Sequence, residues 1–287
     1  MATELEIKLT LSESAQARAL EWLLARPEAS EGHRKTLINR YFDTPNAALN
    51  RTKAALRVRQ AGDRFIQTLK TRGEFVDGAH RREEWEWELS GPELDLCLLQ
   101  QTPLHGQVDL TALALAFETN FQRQVVMLES GTSVIEVAVD SGEILGGCRS
   151  LPLHEVEFEL KAGEPGELMR WAKALASEVP VFLNLVSKAE QGYFLAGIYR
   201  PELPVSSEPL SVTKLLQMLS VSWLTGEPAK LPQIALSAIN KAASAAGFDK
   251  EWQKLSQSLQ AGTTAADLIQ QFPELGRLQL ALALGSE

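Results

Sequence analysis

The sequence predicts an α+β protein, with a large antiparallel sheet or closed barrel covered by helices and a small all-α module after it. Three observations carry that expectation. Before about residue 160, eight short segments alternate apolar and polar residues with period 2. Turn chemistry such as AGD at 61–63, ESG at 129–131 and DSGE at 140–143 separates several of them. After about residue 200 the alternation gives way to apolar residues at 3- and 4-residue intervals.

The strand segments are TELEIKLTL (3–11), INRYFD (38–43), AALRVRQ (54–60), RFIQTLK (64–70), RREEWEWEL (81–89), FQRQVVML (121–128), SVIEVAVD (133–140) and LHEVEFEL (153–160). Ser12 stands before ESAQARALEWLLAR, where Leu20, Leu23 and Leu24 recur at helical spacing, so a capped helix follows the first strand. Similar helical stretches lie near 92–101, 108–117, 164–178 and 187–197. PELPVSSEP (201–209) reads as a linker between a first domain at 1–200 and a helical module at 210–287. That module carries four or five amphipathic helices and almost no strand signal.

Composition narrows the function. With 287 residues, 45% apolar and 23% charged, the chain is an ordinary globular protein large enough for two domains. A net charge of −9 argues against general affinity for nucleic acid or an anionic membrane, though it permits a local basic pocket. Cys97 and Cys148 have no metal-type spacing, which argues against a zinc site or a disulfide framework. An acidic N-terminus with no apolar leader, and no apolar run of membrane-spanning length, point to the cytoplasm. There is no GxxxxGK[ST] loop, so any phosphate binding is not of the P-loop type.

The charges fall on one face of the strands. Residues two apart share a face, which sets Glu4, Glu6 and Lys8 against Leu5, Ile7 and Leu9. The same reading groups Arg57 with Arg59, and Thr68 with Lys70. It also aligns Arg82, Glu84, Glu86 and Glu88 in front of Trp85 and Trp87. Arg123, Glu136 and Asp140 follow, and the last segment sets Glu155, Glu157 and Glu159 against Val156, Phe158 and Leu160. If the sheet closes, these charges point inward. Two like charges about 4 Å apart repel by roughly 4 kcal/mol at an effective dielectric near 20. Excess carboxylates on the first and last strands therefore call for a divalent cation, and oxygen-only donors suit Mg²⁺ or Mn²⁺. Arg and Lys facing the same space suit a polyanion, most naturally phosphate.

The ExExK start (Glu4, Glu6, Lys8), the LRVR pair, Lys70, Arg123, the ExExE strand and SKAEQGY together resemble the CYTH superfamily, the triphosphate tunnel metalloenzymes. Their order looks especially like bacterial inorganic triphosphatases in which a CYTH domain precedes a helical CHAD domain. The resemblance implies an eight-stranded antiparallel barrel whose tunnel binds a triphosphate. It implies metal ligation by Glu4, Glu6, Glu155, Glu157 and Glu159, with Asp140 as a possible direct ligand. It implies phosphate contacts from Lys8, Arg57, Arg59, Lys70, Arg82 and Arg123, and from Lys188 reaching in from a helix. Glu136 would orient groups or hold a second metal, and Glu84 and Glu86 would either face substrate or pair with the basic residues. The C-terminus departs from this pattern. His33, His80, His105 and His154 all precede residue 160, and the helical tail is short for a CHAD domain. The tail is read as a shortened version that packs on the barrel or mediates association.

The reading favoured by these residues is metal-dependent hydrolysis of tripolyphosphate to pyrophosphate and phosphate. Adenylate cyclase, thiamine triphosphatase and RNA 5′-triphosphatase chemistry, or a module that binds polyphosphate or nucleotide without turnover, are the alternatives. The expected partner is a small triphosphate, not nucleic acid or membrane.

Overall fold

A computed structural model describes residues 2–71, 74–76, 79–203, 210–229, 231 and 236–284, without the side chains of 2–4, 74–76 and 80–82. The first strand, β1 (Ala2–Thr10), sets the pattern for the sheet. Ile7 and Leu9 are buried in an apolar cluster on its outer side, while Glu6 and Lys8 are buried on the opposite side. Helix α1 (Glu13–Leu24) starts where Ser12 Oγ accepts the Ala15 N–H at 3.2 Å, a side-chain cap for an otherwise orphaned donor. It packs Ala15, Ala19 and Leu23 into that outer cluster, as α3 (Gly166–Glu178) does with Leu168, Trp171, Ala172 and Leu175.

Long antiparallel strands complete the sheet: β2 (Ala29–Asp43), β3 (Ala55–Ala61), β4 (Arg64–Lys70), β6 (Ala79–Leu89), β7 (Ala114–Ser130), β8 (Ser133–Gly146) and β9 (Arg149–Ala162). Backbone pairing runs β1–β9–β8–β7–β2–β3–β4–β6 and then returns to β1. Short β5 (Glu74–Val76) and β10 (Phe182–Leu183) extend it, giving ten strands among the described residues where the sequence suggested eight. The return at β1 is made by two half-length ladders. Residues Ala2–Glu6 pair with β6 and Glu6–Thr10 with β9, so the two overlap only at Glu6. The eight long strands thus curl around a tunnel without forming a barrel that is hydrogen-bonded along its whole height.

Two of the expected helices are not α-helices. Residues Leu96–Gln101 form a 3₁₀ turn capped by Asp95, and Leu110–Ala112 another capped by Asp109. From Ala114 the chain is already strand, because β7 finds partners on both sides in β2 and β8 and tertiary pairing overrides the local pattern. The 3₁₀ turns and α2 (Ala48–Arg51) instead cover the outer face of β3, β4 and β6, where Leu49, Leu56, Leu69 and Leu99 form a second apolar cluster with Trp85 and Trp87 at its edge.

Helix α4 (Lys188–Leu195) begins in a capping box, Ser187 with Glu190. Five helices follow among the described residues: α5 (Val212–Thr225), α6 (Ser237–Ala245), α7 (Asp249–Gln260), α8 (Ala265–Gln271) and α9 (Leu275–Leu284). Most of the expected linker, residues 204–209, lies outside the described residues. One continuous apolar cluster runs from β1, β8 and β9 through α1, α3 and β10 into α5, α6, α7 and α9. No helix among the described residues is long and apolar enough to cross a membrane.

Candidate active site

The curled sheet encloses a cavity of about 920 Å³. Charged side chains reach it from both walls because the tunnel-facing positions of each strand fall at every second residue. Glu6 and Lys8 of β1, Glu136 of β8, and Glu157 and Glu159 of β9 line one wall. Arg57 and Arg59 of β3, Thr68 and Lys70 of β4, and Glu84 and Glu86 of β6 line the other. Arg123 of β7 and Lys188 of α4 lie between them.

Glu157 is the hub of the carboxylate wall. Its oxygens lie 3.3 Å from Lys8 Nζ, 2.9 Å from Lys188 Nζ and 2.9 Å from an Arg123 Nη. Burial alone would raise its pKa, but Lys188, Lys8 and Arg123 hold the carboxyl well below the usual carboxylate range. The same pairing works in reverse on the cations. Burial opposes the charge of Lys188, yet Glu155, Glu157 and Asp140 raise its pKa, and Glu6, Glu157 and Glu155 raise that of Lys8. Phe121 lies beneath both Arg123 and Lys188, 5.7 and 5.5 Å from its ring centroid.

Asp140 and Glu155 sit behind this wall, fully buried and outside the cavity lining. Asp140 accepts two hydrogen bonds of 2.7 Å from Arg123 and lies 3.0 Å from Lys188 Nζ. Glu155 accepts from Lys188 at 2.5 Å and from Gln191 at 3.0 Å. Each of these carboxylate oxygens faces a donor, so in this structure Asp140 and Glu155 are counter-charges that aim Arg123 and Lys188.

The opposite wall is cationic. Arg57 lies 4.0 Å from Glu84, and its Nε is buried with no hydrogen-bond partner among the described residues. Lys70 lies 3.4 Å from Glu84, and Thr68 donates to Glu86 at 3.2 Å. Glu84 and Glu86 therefore serve as partners for the wall's own donors. Arg59 donates from Nε to Asn39 Oδ1 at 2.7 Å, and Asn39 is fixed by donating to the Thr119 carbonyl. Burial, Arg57 and Arg123 push Arg59 down to about 9, as befits a guanidinium with cationic neighbours on two sides. Such a group gains from any anion placed between the three. Glu88 falls at the exposed end of β6 and pairs with Arg64, away from the cavity. The side chains of Glu4 and Arg82 lie outside the described residues; their backbones pair across the β1–β6 ladder.

Several residues of the site were not singled out from the sequence. Asn39 and Tyr41 share the tunnel face of β2, and the i, i+2 spacing within INRYFD could have found them. Tyr41 stacks on Phe117 with centroids 4.5 Å apart, and Tyr193 meets Phe117 edge-on at 4.9 Å. Gly192 is required here, since a Cβ would lie 2.0 Å from the Phe117 ring. Gln16 of α1 donates to the backbone carbonyls of Asp140 and Glu155 from outside the sheet, a contact without any sequence signal.

The donor set suits a hard divalent cation. Glu6, Glu157, Glu159 and Glu136 offer only oxygens, which fit Mg²⁺ or Mn²⁺. Among the described residues no three His, Cys, Asp or Glu side chains converge into a ready-made cage. Lys8 lies between Glu6 and Glu157, at 3.3 Å from each, and Lys161 lies 2.7 Å from Glu159.

Over 205 residues the chain is 33% identical to the inorganic triphosphatase of Haemophilus influenzae, a match that covers 68% of this chain and 55% of that protein. The chain thus spans about half the length of that relative. A second relative, the uncharacterised sugar kinase YeiI of Escherichia coli, is 33% identical over only 35% of this chain and 28% of its own. Among solved structures, HpAC1 of Hippeastrum, assigned to the adenylyl cyclases and described as having a dominant triphosphatase activity, aligns with a TM-score of 0.50 at 20% identity. That alignment covers 67% of this chain and 95% of the other, and it supports the fold. The model of the CYTH domain matches residues 2–193, which span the whole curled sheet and run into α4. With its ordered strands, charged tunnel and helix-borne Lys188, the chain belongs to the CYTH family.

Proposed function

We propose that the protein is a metal-dependent triphosphatase that hydrolyses inorganic triphosphate to pyrophosphate and phosphate inside the tunnel. The observation that carries this reading is the division of the cavity into a cationic wall, Arg57, Arg59 and Lys70, and a carboxylate wall, Glu6, Glu157 and Glu159. A pocket that only held an anion would gain nothing from the second wall. The triphosphatase named among the relatives supports the same substrate class.

In this reading Arg57, Arg59 and Lys70 take the phosphate oxygens, and the Arg57 Nε, without a hydrogen-bond partner among the described residues, finds its acceptor there. Arg123 and Lys188, held by Asp140 and Glu155, present positive charge from the side between the two walls. As charge spreads over the transferred phosphoryl group, these fixed cations stabilise it without having to reorganise. Glu6, Glu157 and Glu159, with Glu4 two residues before Glu6 on the same strand, would hold the metal. When bound, Mg²⁺ or Mn²⁺ supplies further neutralisation of the phosphate oxygens and lowers the pKa of water at the site. Water attack on the terminal phosphorus breaks its bond to the bridging oxygen and releases pyrophosphate as the leaving group.

The test is phosphate release from tripolyphosphate, ATP and thiamine triphosphate in parallel, each with Mg²⁺, Mn²⁺ or chelator. Turnover is expected to be fastest with tripolyphosphate and to stop in chelator. If none of the three turns over while tripolyphosphate still raises the melting temperature, the protein is a binding module and the proposal fails.

A further inference from the structure

The tunnel site does not end with the sheet. Strand β10 and the residues after it, 182–188, run between β1 and the C-terminal helices. On one side they belong to the tunnel. Leu183 pairs with Leu9, the Asn184 N–H donates to the Lys8 carbonyl at 3.1 Å, and Asn184 Nδ2 donates to Thr10 Oγ1 at 3.0 Å. At its far end the segment delivers Ser187, the cap of α4, and then Lys188.

The other side of this edge strand carries backbone groups that no further strand among the described residues pairs. The C-terminal helices supply the partners. Gln279 of α9 accepts from the Leu183 N–H at 2.9 Å and donates to the Leu183 carbonyl at 3.1 Å, doing with one amide what a neighbouring strand would do. Ser220 of α5 accepts from the Leu185 N–H at 3.0 Å and donates to the Leu216 carbonyl at 2.9 Å. Gln279 and Ser220 are completely buried. Helix α9 comes so close that a Cβ on Gly276 would lie 2.2 Å from the Val181 carbonyl oxygen. Helix α5 also forms part of the cavity itself, through Gln217, Ser220 and Val221.

From this geometry we infer that the C-terminal helices are a working part of the triphosphate site, and that Ser220 and Gln279 are positioning residues for Lys188 and Lys8. They clamp the 182–188 strap from outside while β1 holds it from inside, so the two lysines reach Glu157 from fixed backbones. The inference rests on the triphosphatase reading for its catalytic consequence, but its geometric content is independent of it.

The experiment compares Ser220→Ala with wild-type full-length protein. Lys8 and Lys188 are labelled with an amine-reactive ester and quantified by mass spectrometry, and Kd for tripolyphosphate is measured in chelator, with kcat and KM in Mg²⁺. Loosening of the strap should speed labelling of Lys188 and Lys8 while surface lysines such as Lys250 keep their rates. It should also weaken tripolyphosphate binding or turnover on the order of tenfold, since small misplacements of a charge cost that much. Unchanged labelling of both lysines overturns the positioning role. Faster labelling with tripolyphosphate kinetics within twofold of wild type overturns the claim that the helices serve the site. Should wild-type protein neither bind nor cleave tripolyphosphate, the functional reading fails while the labelling contrast still decides the geometric one. If Ser220→Ala does not fold, the near-isosteric Ser220→Cys, a weaker acceptor, takes its place in the same measurements.

Discussion

Arg123 holds Asp140 through two parallel hydrogen bonds of 2.7 Å, Nε to Oδ1 and an Nη to Oδ2. Asp140 lies behind the cavity wall that Arg123 lines, and that Nη also reaches Glu157 at 2.9 Å. Asp140→Asn keeps the shape and removes the charge that balances Arg123 and Lys188. Breaking a buried pair by removing one partner costs about 3–5 kcal/mol. Urea unfolding at neutral pH should show a loss of that size, and triphosphate hydrolysis should fall although Asp140 does not line the cavity. Stability within about 1 kcal/mol of wild type, where exposed pairs fall, would mean the pair is solvated and this account of it is wrong.

Arg57 offers a cleaner test of anion binding. Its buried Nε has no partner among the described residues, so Arg57→Lys removes both the unsatisfied donor and the planar fork. Hydrogen bonds to charged groups contribute about 1.5–3 kcal/mol, so tripolyphosphate affinity should drop roughly 10- to 100-fold. Titration calorimetry in chelator reads this directly. Equal affinity in the Lys variant would move the binding site away from the β3 wall.

Glu6→Gln separates the metal from the anion. The change removes one oxygen donor of the carboxylate wall and one counter-charge of Lys8, which lies 3.3 Å away. Metal-dependent turnover should be lost, while tripolyphosphate binding in chelator is kept or tightened because the tunnel is less negative. Retained Mg²⁺-dependent turnover would place the cation elsewhere.

The pH dependence of stability has a definite sign. Glu157 is depressed from its ordinary 4.5 despite burial, because Lys188, Lys8 and Arg123 favour its charged form, and Asp140 is depressed from 3.8 despite burial by Arg123 and Lys188. Groups with lowered folded pKa contribute stability that is present above the unfolded value and lost as pH falls through the folded one. Lys8 is raised from 10.5 by Glu6, Glu157 and Glu155 despite burial, so its contribution is complete below that value and fades as pH rises beyond it. Chemical unfolding should therefore show a decline below about pH 4.5 and a plateau from there to about pH 9, where Arg59 begins to titrate. A steady loss beginning near pH 7 would contradict the ionised tunnel.

Gly192→Ala probes the seat of α4. The new methyl would meet the Phe117 ring at 2.0 Å, and over-packing of this kind costs about 1–3 kcal/mol. Because Lys188 opens the same helix, turnover should fall along with the melting temperature. A variant that melts with wild type would show that the ring moves aside freely.

Much of the site was legible because strand periodicity is a local property. Alternation in TELEIKLTL and LHEVEFEL places Glu6, Lys8, Glu157 and Glu159 on one face without knowledge of which strands are neighbours. What alternation cannot give is depth along the tunnel. Glu155 and Glu157 look equivalent in sequence, yet one is sealed under Lys188 and Gln191 and the other lines the cavity. Register decides this, since Glu157 pairs with Lys8 and Glu155 with Thr10. The long reach of β2, from Ala29, was also hidden. Its first half, ASEGHRKT, is mostly exposed and lacks an apolar alternation, and only pairing with β7 makes it strand. Side-chain caps on backbone, such as Gln16 and Gln279, leave no pattern at all.

The meeting of two half-ladders at Glu6 bears on how the chain is made. Strand β1 is synthesised before its partners, yet its second half pairs with Glu155–Glu159 and its last two residues with Phe182 and Leu183. During synthesis that half of β1 therefore waits, its greasy side uncovered, until β9 has emerged. Such distant pairing makes the final closure slow and exposes the nascent chain to misassembly. A message truncated before β9 would leave a curl of strands with an open seam and its tunnel charges in water, a natural substrate for chaperones and proteases.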